Sequence, residues 1–437
     1  MKPNTYSRRD ILRQSAAAGA GAALVATAAT ANARVAAALP ALQEEQVNVT
    51  YTNYSSGQDK PLWDGMIATF QEQNPNITVT YEPIPGASWG EYFDKVATLI
   101  AGGNPPDVVR VAIEGTLLFV SRELPIALDD YMAGDPEIEE FLGDVNQQLI
   151  DPFVIDGQTW QLPFDWNNMV MFYNTAMFEA EGLETPAPDW TWEQWLETAR
   201  ALTKDGVYGF GTAVQYFAGV MPWIFNAGGN LLSDDWTTSQ VNSPEVLEAV
   251  SFMRSLIWDE EVAPSAPASH DDILNLAASG SLGMWGGGRW PTLTLTNAGF
   301  SDFDVQFWPM QATQITEFGV GGFPILRSSP VPDEAWTWVK YLTTPEAFEV
   351  ITRLGQSIPA RRSLAESDAM FALPPANAGI YYASVDDREA KPVPSPARYN
   401  EVESVVRRYL GQILANEISP EDGLAAADAE VVTILAS

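Results

Sequence analysis

The chain contains no cysteine and one histidine, His270. The first absence excludes disulfides, thiolate nucleophiles, thiolate-ligated metals and a lipid anchor on an N-terminal cysteine. The second excludes histidine-rich zinc sites and any Ser-His-Asp triad that does not run through His270. His270 precedes Asp271-Asp272 and reads as a helix-start surface residue. Lysine is scarce too, at six in 437 residues, which would suit a high-salt environment. No P-loop or dinucleotide fingerprint occurs: the Gly-rich stretches 286–288 and 319–322 match neither. No cofactor and no metal are therefore expected.

Acidic residues and aromatics are abundant instead. The net charge is −34, with 15 Trp and 14 Tyr and 46% apolar residues. Such a chain has ample material for packed cores and is not disordered. Met1–Leu39 holds five basic residues and one acid, which leaves 18 basic and 56 acidic residues and about −38 on the remainder. That charge disfavours nucleic acid and anionic membranes as partners. The acids are scattered, as on a solvated surface.

Ser7-Arg8-Arg9-Asp10-Ile11-Leu12 is similar to a twin-arginine signal, with Ile11 where Phe is commoner. The Ala/Gly-rich run Ser15–Ala31 follows, lacking the bulk and length of a membrane-spanning helix. Cleavage-like sites lie at Ala31-Asn32-Ala33 and near Ala36–Ala38. Residues 1–38 are expected to be a Tat-type signal peptide. The mature chain is then exported by the twin-arginine route to a periplasm or other extracytoplasmic space, soluble and not a lipoprotein.

Beyond it, strands and helices alternate. Val47–Tyr54, Ile77–Tyr81 and Asp107–Ala112 read as strands, and Leu62–Phe70 and Trp89–Ala101 as helices. This β-α-β-α-β order predicts a parallel sheet whose ligand site lies past the carboxyl ends of its strands. Tyr54, Ser55, Ser56 and Glu114 occupy those ends. Further on, Thr191–Gln194 fits a capping box, and Ser243-Pro244 opens a helix through Trp258. Val207–Val214, Leu282–Trp285, Phe303–Trp308 and Phe318–Ile325 read as strands, and Gly219–Asn230 as a loop. Thr344-Pro345-Glu346 opens a helix closed by Gly355, and Glu401–Leu414 and Ser419–Leu435 are helical. Pro374–Ser395 is the most loop-like part.

In Asp156–Asn174, two apolar runs flank a polar break, Asp165-Trp166-Asn167-Asn168. The segment reads either as a crossing between two bodies or as a surface hairpin.

The order of short motifs resembles the extracellular solute-binding proteins (family 1) of carbohydrate ABC importers, the group that includes maltose-binding protein. The motifs are Phe70-x6-Ile77-x-Val79, Ala101-Gly102-Gly103-Asn104-Pro105-Pro106-Asp107-Val108, Asp156-Gly157-x4-Leu162-Pro163, Tyr173-Asn174-x3-Phe178, Thr191-Trp192-Glu193-x-Trp195, Ala278-Ser279-Gly280-x2-Gly283-Met284, Ala335–Leu342 and Ile358-Pro359-Ala360-Arg361. Together they span nearly the whole mature chain. The resemblance implies a two-lobe α/β Venus-flytrap fold with three hinge crossings near 164–168, 318–322 and 361–368. Lobe one would be 40–164 plus 322–362, and lobe two 169–318 plus 368–437. It also implies a monomer that captures a mono- or oligosaccharide by lobe closure and delivers it to the permease and ATPase of an ABC importer. The alternatives are a polyol, a glycerol phosphoester, a polyamine or a peptide in the same fold, and, remotely, an exported glycosidase using Glu114 with Asp165.

A sugar site wants aromatic planes for C–H faces and polar groups for hydroxyls. Trp290, after Gly286–Gly288, is placed like a sugar-stacking Trp of the family, or else is core. Arg289 would bind solute or pair with an acid. Asp165, Trp166 and Asn167 lie at the first crossing, Gly322 and Phe323 at the second, and Arg361 at the third. Trp223 and Trp285 would stack or be core, whereas Trp63, Trp195, Trp258 and Trp338 sit at helix-face spacing and read as core.

Overall fold

The computed structural model describes residues 46–437 except 56, 58, 87, 212, 213, 215, 266–269, 356 and 387. The expected signal segment and Ser56 lie outside the described residues, as do the side chains of residues 216, 218, 270 and 354. The architecture is mixed α/β. Strand β1 (Val47–Tyr54) is followed by α1 (Lys60–Gln73), β2 (Ile77–Ile84), α2 (Trp89–Ala101) and β3 (Val108–Val109). The sheet order β2-β1-β3 is parallel throughout, from Val47↔Ile77 to Tyr51↔Val108. Helix α1 buries Trp63, Met66, Ile67 and Phe70 at 3–4-residue spacing, each contributing about 1.5–3 kcal/mol of apolar burial. Ser88 caps α2 by accepting from the Glu91 N–H, and Gly103, at φ +76°, takes the left-handed turn after it.

Asp107–Ala112 is not one strand. Arg110 separates β3 from β4 (Val111–Ala112), and β4 joins a different sheet before α3 (Ile113–Ser121) begins. That change of sheet points Arg110 and Glu114 toward a shared space. The polar break of the 156–174 segment is strand as well: β5 (Pro163–Asn168) runs through it and β6 (Val170–Asn174) follows. The polar residues are compatible with strand because both edges of β5 are paired and its side chains alternate. Trp166 and Asn168 are buried while Asp165 and Asn167 are part-exposed.

Downstream lie α4 (Trp192–Leu202, with its capping box formed), β7 (Tyr208–Gly211), α5 (Met221–Asn226) and α6 (Pro244–Trp258). The expected loop 219–230 thus contains a helix, started by Pro222 and buried on all sides. Then come β8 (Leu282–Gly287), β9 (Phe303–Gln306), β10 (Thr316–Gly322) and α7 (Pro345–Leu354), closed by left-handed Gly355. Strand β11 (Ile358–Pro359), α8 (Ile380–Asp386), β12 (Ala390–Pro392), α9 (Tyr399–Leu414) and α10 (Pro420–Leu435) complete the order. Helix α8 and strand β12 fill the stretch expected to be loop, and α8 is held by buried Ile380, Tyr381, Tyr382 and Val385. Residues 361–368 likewise hold a short helix, Arg362–Ala365.

Strands β9, β6, β8 and β7 form one four-stranded sheet. Strands β11, β5, β10 and β12 form another, with β4 pairing β10. In it β5 and β10 run antiparallel, Phe318↔Asn168 through Gly321↔Asp165. One core gathers Tyr51, Trp63, Phe164 and Trp338, and a second gathers Trp195, Trp223, Met253 and Leu410.

Candidate functional site

A cavity of about 390 Å³ opens where the ends of β1 and β4 meet the β5–β10 pair and α9. Asn53 and Tyr54 enter it from the end of β1, and Asp59 from the turn into α1. Asp59 is fully engaged. Its carboxylate accepts from Trp63 Nε1 at 2.9 Å, from Asn53 Nδ2 and the Tyr81 hydroxyl at 3.3 Å, and from Ser55 Oγ. Ser55 therefore acts on the cavity through Asp59. The Tyr54 ring lies 4.8 Å from that of Trp89, and its hydroxyl donates to the Gly86 carbonyl at 3.1 Å. Burial raises the Tyr54 pKa.

Arg110 crosses the floor, ion-paired to Asp165 and lying over the rings of Phe323 at 5.0 Å and Phe164 at 5.6 Å. Gly321 makes this possible, since a Cβ there would collide with the guanidinium. Asp165 is thus held in an ion pair with Arg110 rather than standing alone beside Glu114. On the same strand, Asn167 accepts from the Arg289 N–H at 2.8 Å and so ties β5 to the 286–290 turn. That turn brings Trp290 to the cavity, its ring 6.0 Å from Phe217.

Glu114 sits in the first turn of α3 with 1% exposure, and its Oε2 has no hydrogen-bond partner among the described residues. Burial, opposed by a backbone hydrogen bond and reinforced by the Glu403 charge, pushes its pKa up to about 7. Glu403 of α9 also lines the cavity and is raised by burial. Ser88 Oγ donates to it at 3.2 Å, and Arg407 approaches to 4.0 Å. Gly90 lies beneath it, and a Cβ there would push the Glu403 carboxylate aside. No group of three or more acidic, histidine or cysteine side chains able to hold a metal occurs among the described residues.

Of the residues singled out in the sequence, Tyr54, Glu114, Asp165, Trp166, Asn167 and Trp290 come together at the cavity. Ser56 lies outside the described residues, and Ser55, Trp223, Trp285, Arg289, Gly322, Phe323 and Arg361 do not line it. Trp223 is fully buried among Trp192, Trp195 and Trp308, with ring centroids 5.0–5.3 Å away. Trp285 is fully buried and stacks on Phe172 at 5.5 Å. Arg289 is also fully buried: its Nη2 donates to the Met370 carbonyl at 3.2 Å, its guanidinium faces the Tyr381 ring, and burial lowers its pKa. Phe323 packs under Arg110 against Tyr51 and Phe164, and Gly322 is paired to Pro163 with its Cα hydrogens against the Leu162 carbonyl. Arg361 is buried by Glu140 at 2.8 Å and the Thr343 carbonyl at 2.9 Å.

Sequence reasoning missed Asp59, Trp89, Phe217, Glu403 and Arg407, and read Trp63 only as core, although its Nε1 serves Asp59. Asp59 carried a signal, as a carboxylate between a strand end and the next helix. Glu403 and Arg407 carried none, because an i,i+4 acid–base pair on an amphipathic helix looks like a solvated face.

The sequence profile described as "Bacterial extracellular solute-binding protein" matches residues 54–347. A putative binding protein of Brucella abortus (strain 2308) is 29% identical over 248 residues, 55% of this chain and 57% of that protein. The chain thus spans little more than half the length of the curated relative it matches. An ABC substrate-binding protein from Listeria monocytogenes, solved in complex with cycloalternan, superposes with a TM-score of 0.80 at 23% identity, covering 90% of this chain and all of that one. A solute-binding protein from Thermotoga lettingae, bound with alpha-D-tagatose, gives 0.79 at 23% identity with the same coverage. At such identities these likenesses establish the two-lobe α/β fold.

Proposed function

This chain belongs to the bacterial extracellular solute-binding proteins, and from that premise we propose that it captures a saccharide of one or two rings and delivers it to the permease of an ABC importer. The cavity carries this reading. Its volume of about 390 Å³ sits low in the ~300–1,000 Å³ range of small-molecule pockets, and its walls pair aromatic planes with carboxylates. Tyr54, Trp89 and Trp290 suit the C–H faces of sugar rings, and Glu114 suits a polar hydrogen-bond donor of the solute. Sugars bound to the structural neighbours, cycloalternan and tagatose, support the same class. A phosphoester suits the site poorly, because both cavity arginines already face carboxylates.

The antiparallel β5–β10 pair is the hinge between a lobe built on β1–β3 and a lobe built on β6–β9, with residues 361–368 as the third crossing. Closure is favoured because only the closed state touches the solute from both sides. Residues 1–38 direct export by the twin-arginine route, and the mature chain acts as a monomer.

Thermal unfolding of the mature chain against sugars, polyols, polyamines and peptides tests this. Ligand at a hundredfold excess over Kd should stabilise by about 2.7 kcal/mol. A melting shift with saccharides that disappears in Trp290→Ala supports both solute and site. Shifts with polyamines or peptides alone, or sugars converted to new products, overturn it.

A further inference from the structure

We infer that the saccharide taken by this site carries an amine, whose ammonium group seats against Glu114. The inference rests on the saccharide reading above and goes to the charge of the solute.

Six charged side chains line the cavity: Asp59, Glu114, Asp165 and Glu403 against Arg110 and Arg407. Arg110 is committed to Asp165, and Arg407 faces Glu403. Asp59 is satisfied by neutral donors from Trp63, Asn53, Tyr81 and Ser55. Glu114 is different. It is almost wholly buried, it lines the cavity, and one carboxylate oxygen has no donor among the described residues. A buried carboxylate without a partner is unfavourable unless it is neutralised or meets a cation.

A neutral hydroxyl would supply a hydrogen bond to Glu114 and leave the negative excess in place. An ammonium supplies the hydrogen bond and the missing charge together. The walls suit a cation as well, because Tyr54 and Trp89 line the same space and aromatic rings attract positive charge. The cavity's size still calls for a ring-sized solute, so an amino sugar fits better than a bare polyamine.

The ionisable groups that line the cavity with Glu114 are Arg110 from the β3–β4 junction, Tyr54 from β1, Asp59 from the turn into α1, Asp165 from β5, and Tyr399, Glu403 and Arg407 from α9. The arginines stay charged and the tyrosines neutral across pH 5–8. Glu114 and Glu403 are the two whose burial raises them toward that window. A proton on Glu114 competes with the ligand's ammonium, so affinity for the amine should fall on acidification.

Titration calorimetry of the mature chain with glucose and glucosamine, and with maltose and the β-1,4 dimer of glucosamine, tests this at pH 7.5 and 5.5. The amino member of a pair should bind at least roughly tenfold tighter at pH 7.5, and the preference should shrink by about tenfold at pH 5.5, where the loss of ionised Glu114 outweighs the gain in protonated amine. Glu114→Gln, close to isosteric, should abolish the preference for the amino member of each pair. The melting temperature of the free variant checks that it is folded, and the wild-type pH comparison stands without it. Neutral sugars binding as tightly as their amino counterparts overturn this inference and leave the saccharide reading standing. Heat from neither set overturns both.

Discussion

Trp192, Trp195, Trp223 and Trp308 form one group of indoles, packed edge to face around helix α5 with Trp223 at its centre. Trp89 and Trp290 belong to the other, half-buried and bordering the cavity. Both groups are aromatic-rich. They differ in what borders the rings: the first is enclosed in the core, whereas the second packs on neighbouring rings and also borders the cavity. A tryptophan's value to a ligand depends on that open border, which no local pattern encodes. The same contrast separates Arg361, sealed by Glu140 and Phe141, from Arg110, paired but bordering the cavity.

Substitutions should split the two groups. Trp223→Ala empties a closed packing site and should cost about 3–5 kcal/mol of stability, read by denaturant unfolding. If it instead abolishes binding at unchanged stability, the two groups are not distinct. Glu114→Gln tests the cavity's electrostatics. The folded-state pKa of about 7 lies above the usual 4.5, so the native state holds more protons than the unfolded state between those values. The contribution of Glu114 to stability should therefore fall by roughly 3 kcal/mol as pH rises from 4.5 through 7, and the difference between wild type and variant should follow that slope. Equal slopes would place Glu114 in a wetter setting than its burial indicates.

Trp290→Ala should leave the free protein within about 1 kcal/mol of wild type while removing the ligand-induced shift, worth about 2.7 kcal/mol at a hundredfold excess over Kd. Gly321→Ala presses a methyl group against the Arg110 guanidinium and should cost about 1–3 kcal/mol, with weaker solute binding. Unchanged binding and stability there would mean that Arg110 moves freely and does not shape the floor.

Several elements were legible along the chain because their signals are local. Helix α2 spans Trp89–Ala101 as its apolar spacing and the following Gly102-Gly103 predicted, and the Thr191 capping box forms as written. The alternation through residue 112 specified a parallel sheet, and its strand ends pointed to Tyr54 and Glu114. Where local signals misled, a tertiary partner had overruled them. The Asp165–Asn168 stretch is polar, yet pairing by β10 and β11 on either edge makes it strand. Residues 219–230 have Gly at both ends, yet burial holds α5 between them.

By itself, then, the sequence determined the parallel order of β1–β3, the caps of its helices, the exclusion of thiol and multi-histidine chemistry, and the motif order of its family. Those properties depend on composition or on residues within a few turns of one another. Only the tertiary structure decided which rings border the cavity, that Glu403 and Arg407 turn from a helix face into a cavity, and that Arg289 and Arg361 are enclosed. Each of these depends on segments tens to hundreds of residues apart meeting in space. Burial, charge pairing and unfilled volume are set at such meetings.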